Sequence, residues 1–107
     1  MKNRIDARFE QLEQAGRAAL IPFVTAGDPD PDWSVDVFHA LVGAGADLIE
    51  IGVPFSGPIA DGPTIQAADN RALAAGMKPA HAWALIRSVR EEFPDLPIGL
   101  LVYANLV

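Results

Sequence analysis

Apolar residues recur along the chain with two different spacings, and the changes from one to the other outline the elements. In residues 4–15, Ile5, Phe9 and Leu12 fall on one helix face, and Gly16 follows where a C-terminal cap belongs. Ala18 to Thr25 is a short apolar run ending in Ala26-Gly27-Asp28, which predicts a buried strand and a turn. Pro22 within it cannot donate to a ladder, so one side of that strand is expected to be free or bulged. Asp30 then offers a helix cap and Pro31 suits the first helical position, while Val35, Phe38, Leu41 and Val42 give residues 31–43 an apolar stripe. Gly43 to Asp47 turns the chain into a second strand over 48–53. Residues 54–63, punctuated by Pro54, Gly57, Pro58, Gly62 and Pro63, read as a loop. Helices are predicted over 64–75, ending near Gly76, and over 79–93, opened by Pro79. The second has Ala82, Leu85, Ile86, Val89 and Phe93 at helical spacing, with Arg87, Arg90, Glu91 and Glu92 on a solvated face. Pro94-Asp95-Leu96-Pro97 breaks it, and 98–103 is a third strand.

Near-continuous apolar strands alternating with amphipathic helices predict an α/β fold of parallel strands covered by helices. A parallel sheet needs both faces buried, yet three strands with these helices leave two open edges and one bare face. Residues 1–107 therefore read as part of one domain, with no second domain, and exposed edges of this kind invite self-association.

Composition narrows the function classes. Half of the 107 residues are hydrophobic and 21% are charged, which excludes intrinsic disorder. No apolar run approaches the roughly 18 residues of a membrane span, so no membrane partner is expected. Eight basic against fourteen acidic residues, a net charge of −6, argue against nucleic acid. Cysteine is absent, which removes disulfides, thiolate metal sites and cysteine nucleophiles. The first residues lack the apolar core of a signal peptide, and a cytoplasmic location is expected.

Two carboxylates stand out. Glu50 lies inside an apolar strand, where burying an unpaired carboxylate is expensive. It either pairs with an arginine or reaches solvent, or it is an acid/base group at the C-terminal end of a parallel strand, where α/β folds place catalytic residues. Asp61, in the loop leaving that strand, either caps the next helix or joins Glu50 as a second carboxylate. His39 and His81 read as surface residues, and Trp33 and Trp83 as packing residues. Gly43-Ala44-Gly45 precedes a strand instead of following one and is no dinucleotide fingerprint. Metal-ligand spacing is absent.

Three segments together resemble the tryptophan synthase alpha subunit family: Pro22-Phe23-Val24-Thr25-Ala26-Gly27-Asp28-Pro29, then Leu48-Ile49-Glu50-Ile51-Gly52-Val53-Pro54-Phe55-Ser56 running on through Ala60-Asp61-Gly62-Pro63-Thr64-Ile65-Gln66, then Pro97-Ile98-Gly99-Leu100-Leu101 with Tyr103-Ala104-Asn105. The resemblance implies the N-terminal part of a (β/α)8 TIM barrel, with the helix over residues 4–15 closing its bottom. It implies a carbon–carbon lyase of tryptophan biosynthesis that cleaves indole-3-glycerol phosphate to indole and glyceraldehyde 3-phosphate by a retro-aldol step. Glu50 matches the family's catalytic glutamate, which moves protons at the indole ring carbon and the glycerol hydroxyl. Asp61 matches the aspartate that holds the indole N–H. Phe23, Leu101 and Tyr103 are expected to line the indole pocket.

Pro54, Phe55, Ser56, Gly57 and Pro58 begin a loop expected to face the beta subunit of an alpha2beta2 heterotetramer. The pyridoxal phosphate belongs to that partner, and this subunit is expected to need no cofactor and no metal. The family's pattern after Pro-Phe-Ser is Asp-Pro, whereas here Gly57 precedes Pro58, which removes a carboxylate from the loop. A (β/α)8 barrel takes about 250 residues, so the phosphate-binding loops and the mobile lid are expected outside this chain. The competing reading is a non-catalytic fragment that self-associates or docks on a beta-type subunit.

Overall fold

The computed structural model describes residues 2–56 and 61–106. The first helix, α1 (Arg4–Ala15), begins where the Asn3 side chain accepts from the Asp6 N–H and the Asp6 carboxylate accepts from the Asn3 N–H. It ends at Gly16, whose φ of 65° is in the left-handed region. In α2 (Pro31–Gly43) the Asp30 carboxylate accepts from the Trp33 N–H at 3.0 Å, as its cap position predicts. The chain continues through α3 (Pro63–Ala74) and α4 (Pro79–Glu92), both opened by proline. Each helix matches the sequence reading to within a residue or so.

The strands β1 (Phe23–Thr25), β2 (Ile49–Gly52) and β3 (Ile98–Leu101) form one parallel sheet in the order β1-β2-β3. They are shorter than the apolar runs that predict them. Leu48 and Val53 are buried although they flank the ladder of β2, because packing continues where pairing stops. Pro22 lies one residue before β1, where its carbonyl accepts from the Glu50 N–H at 3.0 Å and its missing N–H costs nothing. A 3₁₀ turn over Ala104–Leu106, which the sequence pattern does not predict, follows β3.

The two faces of this sheet differ. On the outer face Ile49 and Ile51 are fully buried in one cluster with Phe38 of α2 and Ala82, Leu85 and Val89 of α4. Burying each large apolar side chain stabilises the fold by about 1.5–3 kcal/mol. The register places Phe23 beside Glu50 and Glu50 beside Gly99, and Thr25 beside Gly52 and Gly52 beside Leu101. These residues share the inner face. Glu50, for which the apolar strand left burial or access to solvent open, has an exposed side chain. The helices cover only the outer face, and alternation along β2 turns Glu50 away from them.

At the N-terminal ends of the strands, Asp47 joins three parts of the chain. Arg17 donates to both its carboxylate oxygens at 3.0 and 2.7 Å, the Leu20 N–H donates at 2.8 Å, and Arg8 of α1 donates to its carbonyl at 2.8 Å. The Arg17 hydrogen bond and the Leu20 N–H hold this carboxyl down at about 2. Nearby, Arg4 of α1 donates to the Pro94 carbonyl at 2.7 Å, just before β3. Helix α1 is thus fastened at the N-terminal end of the sheet, where the resemblance puts the helix that closes the barrel bottom.

Arg90 belongs to this end too, which corrects its placement on a solvated face. Its Nη1 donates to the carbonyls of Phe93, Pro94 and Leu96, and burial pushes its guanidinium below the usual range. Trp33 departs from the reading in the other direction: it is 61% exposed and packs little.

Candidate functional site

The opposite end of the sheet carries a cavity of about 200 Å³. Its floor is Gly52, at the end of β2. A Cβ on Gly52 would lie 2.5 Å from Cζ of Phe23, so only glycine lets the Phe23 ring lie across the strand. Leu101 and Tyr103, two residues apart and therefore on one side of the chain, form a second wall. Asp61 and, from α3, Ile65 and Asp69 form the third.

Asp61 is half-buried at this cavity, and its carbonyl accepts from Gln66 Nε2 at 2.8 Å. The capping alternative for Asp61 is not what the structure has, because Gly62 is the cap residue of α3 and no side chain bonds there. The structure therefore brings Phe23, Asp61, Leu101 and Tyr103 around one space. Glu50 does not line that space directly. It stands on the same face of β2 as Gly52, about 7 Å further from the strand's end. Its Cγ lies 3.6 Å from where a Gly99 Cβ would be, an ordinary contact distance, so the Glu50 side chain lies over β3.

Of the loop residues assigned to a partner, Pro54 is buried, and Phe55 stacks on Tyr103 with ring centroids 4.5 Å apart. Ser56 is exposed; Gly57 and Pro58 lie outside the described residues. Phe55 is thus half-buried against Tyr103, a residue of the cavity wall.

Asp69 is the site residue that the sequence reading passes over. It is 4% exposed, and its carboxyl is hydrogen-bonded to Asp61. Burial first, then the charge and hydrogen bond of Asp61 and the charge of Asp28, push it up to about 6. The available signal is a carboxylate among Ile65, Ala68 and Ala72, on the apolar stripe of α3.

Both histidines lie elsewhere. His39 Nε2 is 2.6 Å from Glu92 Oε2, and His81 Nδ1 accepts from the Lys78 N–H at 3.2 Å. Among the described residues, no group of three or more His, Asp or Glu side chains is placed to hold a metal ion, and no helix is long and apolar enough to cross a membrane.

A parallel sheet with two carboxylates and an aromatic pocket at its C-terminal end is shared by many barrel enzymes, and sequence comparison decides among them. The family profile described as tryptophan synthase alpha chain matches residues 9–107. The chain belongs to this family. The tryptophan synthase alpha chain of Halorhodospira halophila is 57% identical over 105 residues, which are 98% of this chain and 38% of that protein.

Among solved structures, tryptophan synthase subunit alpha from Legionella pneumophila superposes with a TM-score of 0.93 at 40% identity, over 99% of this chain and 40% of that one. Tryptophan synthase from M. tuberculosis, in an aminoacrylate-bound form, superposes with a TM-score of 0.90 at 35% identity, over 99% and 42%. The chain therefore spans about two fifths of the length of its alpha-chain relatives, and its strands and helices are those of the N-terminal part of a (β/α)8 barrel.

Proposed function

We propose that this chain supplies one wall of a lyase site that cleaves indole-3-glycerol phosphate. The observation that carries the reading is the cavity at the C-terminal end of the sheet, where Phe23, Leu101 and Tyr103 surround an apolar space that opens on the Asp61 carboxylate. A flat aromatic ring with one N–H is what such a space accepts: apolar walls for its faces and one anion for its donor. The inner face carrying Glu50 is closed over by the remaining strands of the barrel in the full-length protein.

In the reaction, Glu50 gives a proton to the ring carbon that bears the glycerol chain, and the positive charge that develops at the ring nitrogen is stabilised by Asp61. A carboxylate then removes the proton of the adjacent hydroxyl. The carbon–carbon bond breaks, its electrons return to the ring, and the hydroxyl carbon becomes the aldehyde of glyceraldehyde 3-phosphate. One proton is donated and one is recovered, so no cofactor enters, and the chain's own groups suffice for the proton transfers. The partner is a beta-type subunit holding pyridoxal phosphate, which consumes the indole, and the location is the cytoplasm.

The reading is tested by incubating a full-length alpha chain that carries these residues with indole-3-glycerol phosphate and following indole release. Release in step with glyceraldehyde 3-phosphate is expected, whereas a folded protein that releases none contradicts the assignment. The competing docking module has the exposed Leu100 and Leu101 of β3 in its favour, at 47% and 55%. Stable binding of a beta-type subunit without indole release would establish it instead.

A further inference from the structure

We propose that Asp69 tunes Asp61 as the acceptor for the N–H donor of the ligand, setting the charge that Asp61 presents. This rests on the lyase reading for the identity of the ligand class, an aromatic heterocycle with a ring N–H. Asp69 acts through Asp61, so it is a positioning residue and not a catalytic one.

Three observations support the pair. Asp61 and Asp69 line the same cavity from different segments, the loop after β2 and the middle of α3. Asp69 is 4% exposed, and a buried carboxyl is costly unless its partners repay the burial. The neighbour that acts on it most, by charge and hydrogen bonding, is Asp61, the carboxylate assigned to the ligand.

The charges facing Asp69 fix how the pair behaves. Asp28, in the turn after β1, adds a negative charge, and Arg71 of α3 is committed to Asp28 through hydrogen bonds of 2.8 and 3.1 Å. Tyr103 lines the cavity from beyond β3. Among these groups only carboxylates act on Asp69 by charge, and both push its proton on. Below about pH 6 Asp69 holds a proton and donates it to Asp61, which draws charge from the carboxylate that accepts the ligand's N–H. Above it, both carboxylates are ionised, and Asp61 presents its full charge to the ring nitrogen with a second negative charge beside it.

Indole is the probe, with its dissociation constant measured from pH 5 to 8 on the full-length alpha chain and on Asp69→Asn. Asparagine keeps a donor to Asp61 at every pH, so the variant is held in the low-pH form. The wild type is expected to bind about tenfold more tightly at pH 8 than the variant, the size of a one-unit pKa difference, and to match it at pH 5. Asp69→Ser, which also lacks the charge, is expected to lose the same pH dependence and serves if the asparagine variant does not fold.

A ratio that stays constant across the pH range would mark a structural role and overturn the proposal, as would pH dependence that survives in both variants. Indole-3-glycerol phosphate cleavage, assayed in parallel, separates the two readings. Absent cleavage with pH-dependent indole binding removes the lyase and keeps the pair, while cleavage with pH-independent binding does the reverse.

Discussion

Replacing Glu50 by glutamine in a full-length alpha chain is expected to lower kcat for indole release by about 100- to 10,000-fold, the usual share of one positioned acid/base group. The KM is expected to change little, because the ring is held by Phe23, Leu101, Tyr103 and Asp61, none of which the substitution touches. The fold is expected to survive. The Glu50 side chain is exposed on the inner face, and the residue's role in the sheet is carried by its backbone, whose N–H donates to the Pro22 carbonyl. Glutamine has the same shape but cannot give and recover a proton. Steady-state kinetics with circular dichroism on the same sample checks both parts. A kcat within a fewfold of wild type would mean that another group moves the protons.

The largest stability effect is expected at Phe38. Its ring is fully buried between α2, the outer-face residues Ile49 and Ile51, and Ala82, Leu85 and Val89 of α4. Phe38→Ala removes this contact from all three elements at once and leaves a cavity that the short β2 cannot close by shifting. A loss of about 3–5 kcal/mol is expected, a large part of the roughly 5–15 kcal/mol that keeps a domain folded. Urea unfolding of the full-length chain measures it, and a change below about 1 kcal/mol would show that the core lies elsewhere. Ile49 and Ile51 belong to the same cluster, so truncations there are not expected to add independently to Phe38→Ala.

The helices were legible because their ends are written locally. Asp30 with Pro31, Pro79 and the left-handed Gly16 each act through their nearest neighbours, so reading them needs no tertiary knowledge. The strands were legible as apolar runs but not in length, since burial of Leu48 and Val53 extends past the hydrogen-bonded ladder.

What the sequence hid depends on partners that no local periodicity marks. Asp47 gathers Arg17 and Arg8 from 30 and 39 positions away, and Arg90 closes over carbonyls of an irregular turn that no periodicity describes. Glu50 illustrates the other difficulty. An apolar strand implies burial, but which face the helices cover is decided by the whole sheet, and here they leave the glutamate's face open. The same reasoning explains Asp69, whose meaning emerges only when α3 brings it against Asp61.

In the proposed reaction the ring N–H lies on Asp61, and the ring carbon that is protonated lies over Glu50. The most direct test is a crystal structure of the full-length Glu50→Gln alpha chain with intact indole-3-glycerol phosphate, which that variant is expected to turn over too slowly to lose. The expected result has the indole between Phe23, Leu101 and Tyr103, its N–H within hydrogen-bond distance of Asp61, and the substituted ring carbon facing the side-chain amide that replaces the Glu50 carboxylate. An indole ring seated away from Asp61, or turned so that its nitrogen faces that amide, would contradict the account.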